Sequence, residues 1–248
     1  VYNNETVNVT TTAGGSLTGT AAEANKGTRA VTVTGFGALT GADSGKYQLP
    51  AGNPSVNVVI TEAKLTSTTL NATKTYNGNA NVNLADFGGN VTVNGVNGET
   101  LEIATIAGAA YSKADVHTSE AFANKGTITL KAKNGSNPAN YDASDLSSVT
   151  FQGAITKADQ VALTITGKNT ISYGEKITLS TTGGSGTGAV TWAVSSGTQS
   201  FATLDTATGE VTSVKGGGTL KVKATKAGGT NYNDVESAEF TITVNKKT

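Results

Sequence analysis

At 248 residues with 18 basic and 18 acidic side chains, the chain carries no formal net charge. That excludes partners that demand a concentrated positive field, so neither nucleic acid nor an anionic membrane is expected. Cysteine and methionine are absent, which excludes disulfides, thiolate nucleophiles and Cys-ligated metals and leaves little for oxidants to attack. Hydrophobic residues make up 36% and aromatic residues 6%, enough for a core built from small side chains. No apolar run approaches the roughly 20 residues of a membrane-crossing helix, and no membrane insertion is expected. Glycine occurs 31 times and proline 3 times, with Thr, Val and Asn throughout. β-Branched residues suit a pleated surface, while Gly and Asn supply the positive φ of tight turns. The expected fold class is all-β, as tandem β-sandwich, immunoglobulin-like modules arranged as an elongated rod. The chain starts at Val1 rather than Met, as expected of an excised or processed segment.

In chain order, residues 1–64 read as a first module. It opens on Val1-Tyr2-Asn3, continues through Ala24-Asn25-Lys26-Gly27-Thr28 into the alternating run Ala30-Val31-Thr32-Val33-Thr34, turns at Gly45-Lys46-Tyr47 and closes on Val59–Lys64. Residues 65–158 repeat the outline. Thr75-Tyr76-Asn77-Gly78 opens, and Ala123-Asn124-Lys125-Gly126-Thr127 leads into Ile128–Ala132. Ala139-Asn140-Tyr141 carries the tyrosine, and Ala154–Asp159 closes. The first module is shorter by about 25 residues, room for two strands and their turns, and is either a shortened variant or a truncated one.

Residues 159–248 form the third module, with strands expected at Val161–Ile165, Lys176–Ser180, Ala189–Val194, Gly209–Val214, Thr219–Ala224 and Ala238–Val244, and a short one near Phe201. Alternation points Val190, Trp192 and Val194 inward on a central strand and turns Leu220 and Val222 inward while Lys221 and Lys223 face water. Gly229-Thr230-Asn231-Tyr232-Asn233 supplies its tyrosine loop. Leu65 follows Lys64 directly and Gln160 follows Asp159, so the joints lack a flexible spacer and should restrict motion between modules.

Two resemblances rest on these residues. The run Ala202-Thr203-Leu204-Asp205-Thr206-Ala207-Thr208-Gly209-Glu210-Val211-Thr212, with Ala227–Asn233, resembles bacterial immunoglobulin-like (Big/MBG-type) domains over most of residues 160–246. Residues 1–158 resemble the YDG repeats of large bacterial adhesins, through Thr75-Tyr76-Asn77-Gly78, Ala139-Asn140-Tyr141 and Gly41–Tyr47; Tyr2-Asn3-Asn4 departs from that pattern at its third position. The resemblance implies tandem modules in the exported, surface-attached part of a bacterial protein, acting as stalk or adhesin repeats. These families share no catalytic residues to carry over.

Gly184-Ser185-Gly186-Thr187-Gly188-Ala189 spells G-x-G-x-x-A, but a dinucleotide loop must open a helix. Here an alternating, β-branched strand follows, so Gly183–Gly188 is expected to be a hairpin turn, silent in binding. His117, the only histidine, has Ser112, Asp115, Thr118 and Ser119 nearby, and is expected in a solvated loop rather than a triad. One His and no Cys make zinc an implausible ligand. The carboxylate pairs Glu99/Glu102, Asp142/Asp145 and Asp205/Glu210 have turn or strand-edge explanations, and no EF-hand or RTX spacing marks a calcium site. Tyr47, Tyr141 and Tyr232 either stack on sugars or plug one end of each sandwich with the hydroxyl bonded to backbone, and recurrence favours the plug. A Lys–Asn isopeptide bond, known in other surface adhesins, needs a Lys, an Asn and a buried carboxylate, and no pair can be chosen from sequence.

The expectation is thus a non-enzymatic, monomeric segment of a bacterial cell-surface or secreted protein, with no catalytic, cofactor-binding or metal-binding residues. Its expected partners are a host or cell-surface glycan or protein and other domains of the same full-length chain. The rival expectation is a glycan-binding accessory module of a secreted carbohydrate-active enzyme.

Overall fold

The computed structural model describes residues 8–11, 18–21, 23–49, 51–196 and 199–248; the opening Val1-Tyr2-Asn3-Asn4 lies outside them. The fold is all-β. Among the described residues the helical segments are four short 3-10 turns, Ser44–Lys46, Leu84–Phe87, Val96–Gly98 and Pro138–Asn140. The chain divides into two compact units, one holding the described residues up to Thr68 with Asn90–Thr105 and Ile128–Val149, the other Thr69–Gly89, Ile106–Thr127 and Thr150–Thr248.

In the first unit Gly27–Thr34 lies between Thr18–Ala21 and Ser55–Ile60 in an antiparallel sheet. Its residues alternate between half-buried and exposed, as a strand with one covered face requires. Thr100–Ala107 sits between Thr92–Asn94 and Thr127–Ala132. Leu101 and Ile103 from that strand are buried with Val91, Val93, Ile128 and Tyr141. The two Ala-Asn-Lys-Gly-Thr copies therefore open strands with different partners. Gly27 pairs with Ile60, whereas Thr127–Ala132 pairs with Thr100–Ala107. The strand with the matching register is His117–Ala121, whose His117 pairs with Ile155 of Val149–Thr156.

In the second unit Val149–Thr156 is flanked by His117–Ala121 and Thr68–Thr75. Ala72, Val82, Ala109, Tyr111 and Ile155 make a core with Tyr76, Phe87, Val116 and Phe122 against it. Gly153 is obligatory there, because a Cβ would meet the Tyr111 ring at 2.4 Å. Beside this core Lys74 Nζ donates to the Asn79 carbonyl at 2.8 Å, the Asn79 Oδ1 at 3.1 Å and the Asn81 carbonyl at 2.8 Å. A buried ammonium needs such acceptors, and here they hold the Tyr76–Asn81 loop in place; desolvation lowers the Lys74 pKa from its ordinary value.

Residues 164–245 of the same unit form a sandwich. One layer runs Thr170–Ser172, Phe240–Asn245, Gly218–Lys226, Val190–Ser196, with Val235–Glu236 also pairing Gly218–Lys226, and another runs Lys176–Thr178, Glu210–Ser213, Ala202–Leu204. Thr164–Thr166 pairs with Ser180–Thr182. One core joins these sheets, from Ile171, Trp192, Leu220, Val222, Ile242 and Val244 to Ala202 and Val211. Trp192, Leu220 and Val222 are buried as alternation predicts. Trp192's strand, expected at the centre, instead ends its ladder, since Val190–Ser196 pairs only with Gly218–Lys226 there. The Trp ring is sheltered by the opposite layer, where Gly209 leaves room: a Cβ at that residue would lie 2.6 Å from it.

Removing the buried Leu220 side chain leaves a cavity in this core. Leu220→Ala should cost about 2–5 kcal/mol, measured by denaturant unfolding followed through Trp192 fluorescence; a cost below about 1 kcal/mol would contradict the packing described.

Candidate functional site

The tyrosine loops meet the closing segments of the preceding stretch of chain, and they do so twice by one scheme. In the first unit the short strands Ala63–Lys64 and Tyr141–Asp142 pair in parallel, Tyr141 beside Ala63 and Asp142 beside Lys64. Asn140, just before Tyr141, uses both ends of its amide: Oδ1 accepts from the Lys26 backbone N–H at 2.9 Å, and Nδ2 donates to the Asn25 Oδ1 at 2.9 Å. In the second unit Tyr232 bridges Ala158 in parallel. The Ala158 N–H donates to the Asn231 carbonyl at 3.0 Å, and the Asn233 N–H to the Ala158 carbonyl at 2.8 Å. Asn231, just before Tyr232, accepts from the Val116 N–H at 2.9 Å and donates to the Asp115 Oδ1 at 2.8 Å. The matching positions follow from register. Ile60 and Ile155 pair with Gly27 and His117; the clamped dipeptides, Asn25-Lys26 and Asp115-Val116, directly precede those partners.

Charge and hydrogen bonding reinforce each joint differently. At the first, Lys64 Nζ pairs with Asp145 at 2.6 Å, and Lys26 pairs with Glu62. The hydrogen bond from Lys64, with others from Ser147, holds the Asp145 carboxyl far below the usual carboxylate range. At the second, Asn233 Nδ2 donates to Asp159 at 2.8 Å and Lys157 Nζ to the Gly229 carbonyl at 2.8 Å. The buried Gln160 donates to the Lys226 and Asn233 carbonyls at 3.0 and 2.8 Å, and its Oε1 accepts from the Gly186 N–H at 2.8 Å. Gln160 thereby ties the glycine-rich loop to the joint.

That loop is not the hairpin expected from sequence. Ser180–Thr182 pairs with Thr164–Thr166, and Val190–Ser196 pairs with Gly218–Lys226, so Gly183–Gly188 crosses between two sheets. A strand follows it, as expected. Gly183 and Gly184 have φ of 85° and 70°, values that glycine reaches without strain.

The three tyrosines differ. Tyr141 is a plug: the residue is 4% exposed, and its hydroxyl donates to Glu99 Oε2 at 2.6 Å and accepts from the Val96 N–H at 3.2 Å. Gly95 must lack a side chain, because a Cβ would lie 2.4 Å from the Tyr141 hydroxyl. Tyr232 is half-buried and meets Tyr76 edge-on, ring centroids 5.4 Å apart. Tyr47 is half-buried after the Ser44–Lys46 turn.

His117 is not in a solvated loop. It begins a strand, is 8% exposed, and sits edge-on to Tyr111 with ring centroids 6.0 Å apart. Its Nδ1 lies 2.7 Å from the Asp115 carbonyl, an acceptor that requires the proton on Nδ1; Nε2 is buried without a partner among the described residues. The ring fills apolar space beside Tyr111, which the polarity of its sequence neighbours conceals. Ser112 bonds Glu120 instead, and no triad forms on His117.

The carboxylate pairs are engaged locally. Glu99 takes the Tyr141 hydroxyl and Glu102 pairs with Lys131 at 2.7 Å. Asp142 accepts from Ser144, Asp145 from Ser147 and Lys64. Asp205 caps its turn through the Ala207 and Thr208 N–H groups, and Glu210 pairs with Lys176 at 2.8 Å. Among the described residues no three His, Asp or Glu side chains gather as a metal set, and no helix is long and apolar enough to cross a membrane. Asn140 and Asn231 were missed from sequence, although their shared place before a tyrosine was visible.

No family model matches the chain, and no curated protein matches it. Among solved structures it is similar to mouse cadherin-23 EC22-24, with 12% identity and a TM-score of 0.34 over 89% of this chain and 74% of that one. It is similar to Drosophila N-cadherin EC1-4, with 10% identity and a TM-score of 0.27 over 88% and 58%. A third is BT4661, a SusE-like surface located polysaccharide binding protein from Bacteroides thetaiotaomicron, with 10% identity and a TM-score of 0.27 over 97% and 54%. TM-scores of this size leave the functional argument to the chain's own geometry.

Because Asp145 has a depressed pKa in the folded chain, its stabilisation is complete above the ordinary carboxylate pKa and is lost as pH falls through the depressed value. Asp145→Asn should therefore lower the melting temperature at pH 7, with the gap to the parent narrowing from about pH 5 towards pH 2. A gap that does not change with pH would contradict the Lys64–Asp145 account.

Proposed function

We propose that the chain is a non-enzymatic structural and adhesive segment of a bacterial cell-surface or secreted protein. It would act outside the cell as a stalk or adhesin repeat array, with modules 1–64, 65–158 and 159–248 in series, the first two of YDG type and the third of Big/MBG type. The observation that carries this reading is the joint built twice: an Asn-Tyr loop docks on an Ile-Thr-x-Ala segment through backbone pairing and a two-ended amide clamp. Joints of this kind transmit load, because pulling the modules apart must break several hydrogen bonds together rather than extend a slack linker. A repeated joint is what a projecting array requires, and a hydrolase has no need of it.

A second reading, a glycan-binding accessory module of a secreted carbohydrate-active enzyme, draws support from one observation, the open cleft beside Tyr232 considered below. Both readings assign the chain binding rather than catalysis.

Displayed on a non-adherent bacterium, the chain should raise attachment to glycan- or protein-coated surfaces and release no reducing sugar from the glycans. Under force, Asn140→Ala with Asn231→Ala should lengthen the chain before any module unfolds. Unchanged attachment together with sugar release would contradict the reading, as would a parent chain as compliant as the double variant.

A further inference from the structure

The two joints share one scaffold yet differ at the tyrosine. At the first, the Tyr141 hydroxyl is satisfied by Glu99 and Val96 and the ring is covered. The cavity there, about 250 Å³, is lined by the charged Lys26 and Glu99. At the second, the glycine-rich loop lies beside Tyr232 and carries no carboxylate. A cleft of about 300 Å³ lies there, lined by Tyr76, Ser185, Thr187, Thr230, Asn231 and Tyr232. No lining side chain is charged. The hydroxyls of Tyr76, Thr187, Thr230 and Tyr232 have no hydrogen-bond partner among the described residues, and Thr187 and Thr230 are exposed. Backbone around the cleft is fixed: Gln160 holds Gly186, Ser185 Oγ accepts from the Val161 N–H at 3.2 Å, and Asn231 is clamped to Asp115 and Val116.

A packing plug needs no unbonded hydroxyl, and at the first joint the tyrosine hydroxyl is indeed satisfied. We propose that the cleft between Tyr76 and Tyr232 binds a neutral carbohydrate. A pyranose ring packs its C–H groups against the electron-rich face of an aromatic ring, and its hydroxyls both donate and accept, matching four uncommitted side-chain hydroxyls on a preorganised rim. The lining side chains carry no charge to pair with a sulfate or carboxylate, which favours a neutral glycan over sulfated, uronic and sialylated ones. The proposal deepens the adhesive reading and rests on it, by naming a ligand class at one of its joints.

The test is an NMR titration of the full chain with neutral tetrasaccharides of glucose, mannose, galactose and xylose, alongside a sulfated tetrasaccharide. At least one neutral glycan should shift the amides of Thr187, Thr230 and Asn231. Tyr76→Phe and Tyr232→Phe, which keep the rings and hence the fold, should each weaken it about threefold to tenfold. The unfolding midpoint of each variant, read from Trp192, checks that the fold persists. The site is overturned if no neutral glycan moves those amides at about 10 mM, if the sulfated glycan binds as well, or if both Phe variants bind like the parent. Glycan shifts confined to another surface also overturn this cleft while leaving adhesion standing; adhesion itself fails only in the display experiment.

Discussion

An asparagine amide donates and accepts from one short planar head, and the arrangement of this chain turns on two of them. Asn140 and Asn231 each fix a backbone N–H and a side-chain oxygen from a segment more than a hundred residues away in sequence. Neither an aspartate nor an alanine can replace them. An aspartate at 231 would set its carboxylate against that of Asp115, and an alanine would leave the Val116 N–H without its acceptor. Each bond is worth only about 0.5–1.5 kcal/mol, but the clamp and the adjoining backbone bridge act together, so the tyrosine that follows is placed without freedom.

From that placement the rest of each joint follows. With Tyr141 fixed beside Ala63, a loop lacking a side chain at Gly95 closes over the ring and Glu99 takes its hydroxyl. With Tyr232 fixed beside Ala158, a loop of different composition stands aside, anchored by Gln160, and leaves both Tyr232 and Tyr76 open to a cleft. One scaffold therefore supports two outcomes at the tyrosine hydroxyl, bonded to Glu99 and Val96 at Tyr141 and uncommitted at Tyr232. The glycines at 183–188 that resemble a nucleotide loop serve the second outcome; their motif is incidental to their task.

Much of the fold was legible in the sequence where local pattern and burial coincide. Alternation located the strands around Trp192, Leu220 and Val222, and the β-branched run after the glycine loop correctly ruled out a helix. Pattern failed where partners are distant. The repeated Ala-Asn-Lys-Gly-Thr segments look equivalent, yet register equates Gly27 with His117, because pairing with Ile60 and Ile155 decides the matter and composition does not. His117 reads as a loop residue from its polar neighbours, but its ring is recruited to fill space beside Tyr111. The clamp was hidden for a related reason. Its two ends lie far apart in the chain, and an Asn before a Tyr announces only a turn until the strand it meets is known.

Amide hydrogen exchange at Lys26 and Val116 tests the central claim most directly, because these two N–H groups have the Asn140 and Asn231 side chains as acceptors. The account predicts that both exchange far more slowly than an unstructured peptide, and that Asn231→Ala releases Val116 while the core around Leu220 stays protected. Exchange of both amides at the unstructured rate in the parent chain would contradict it.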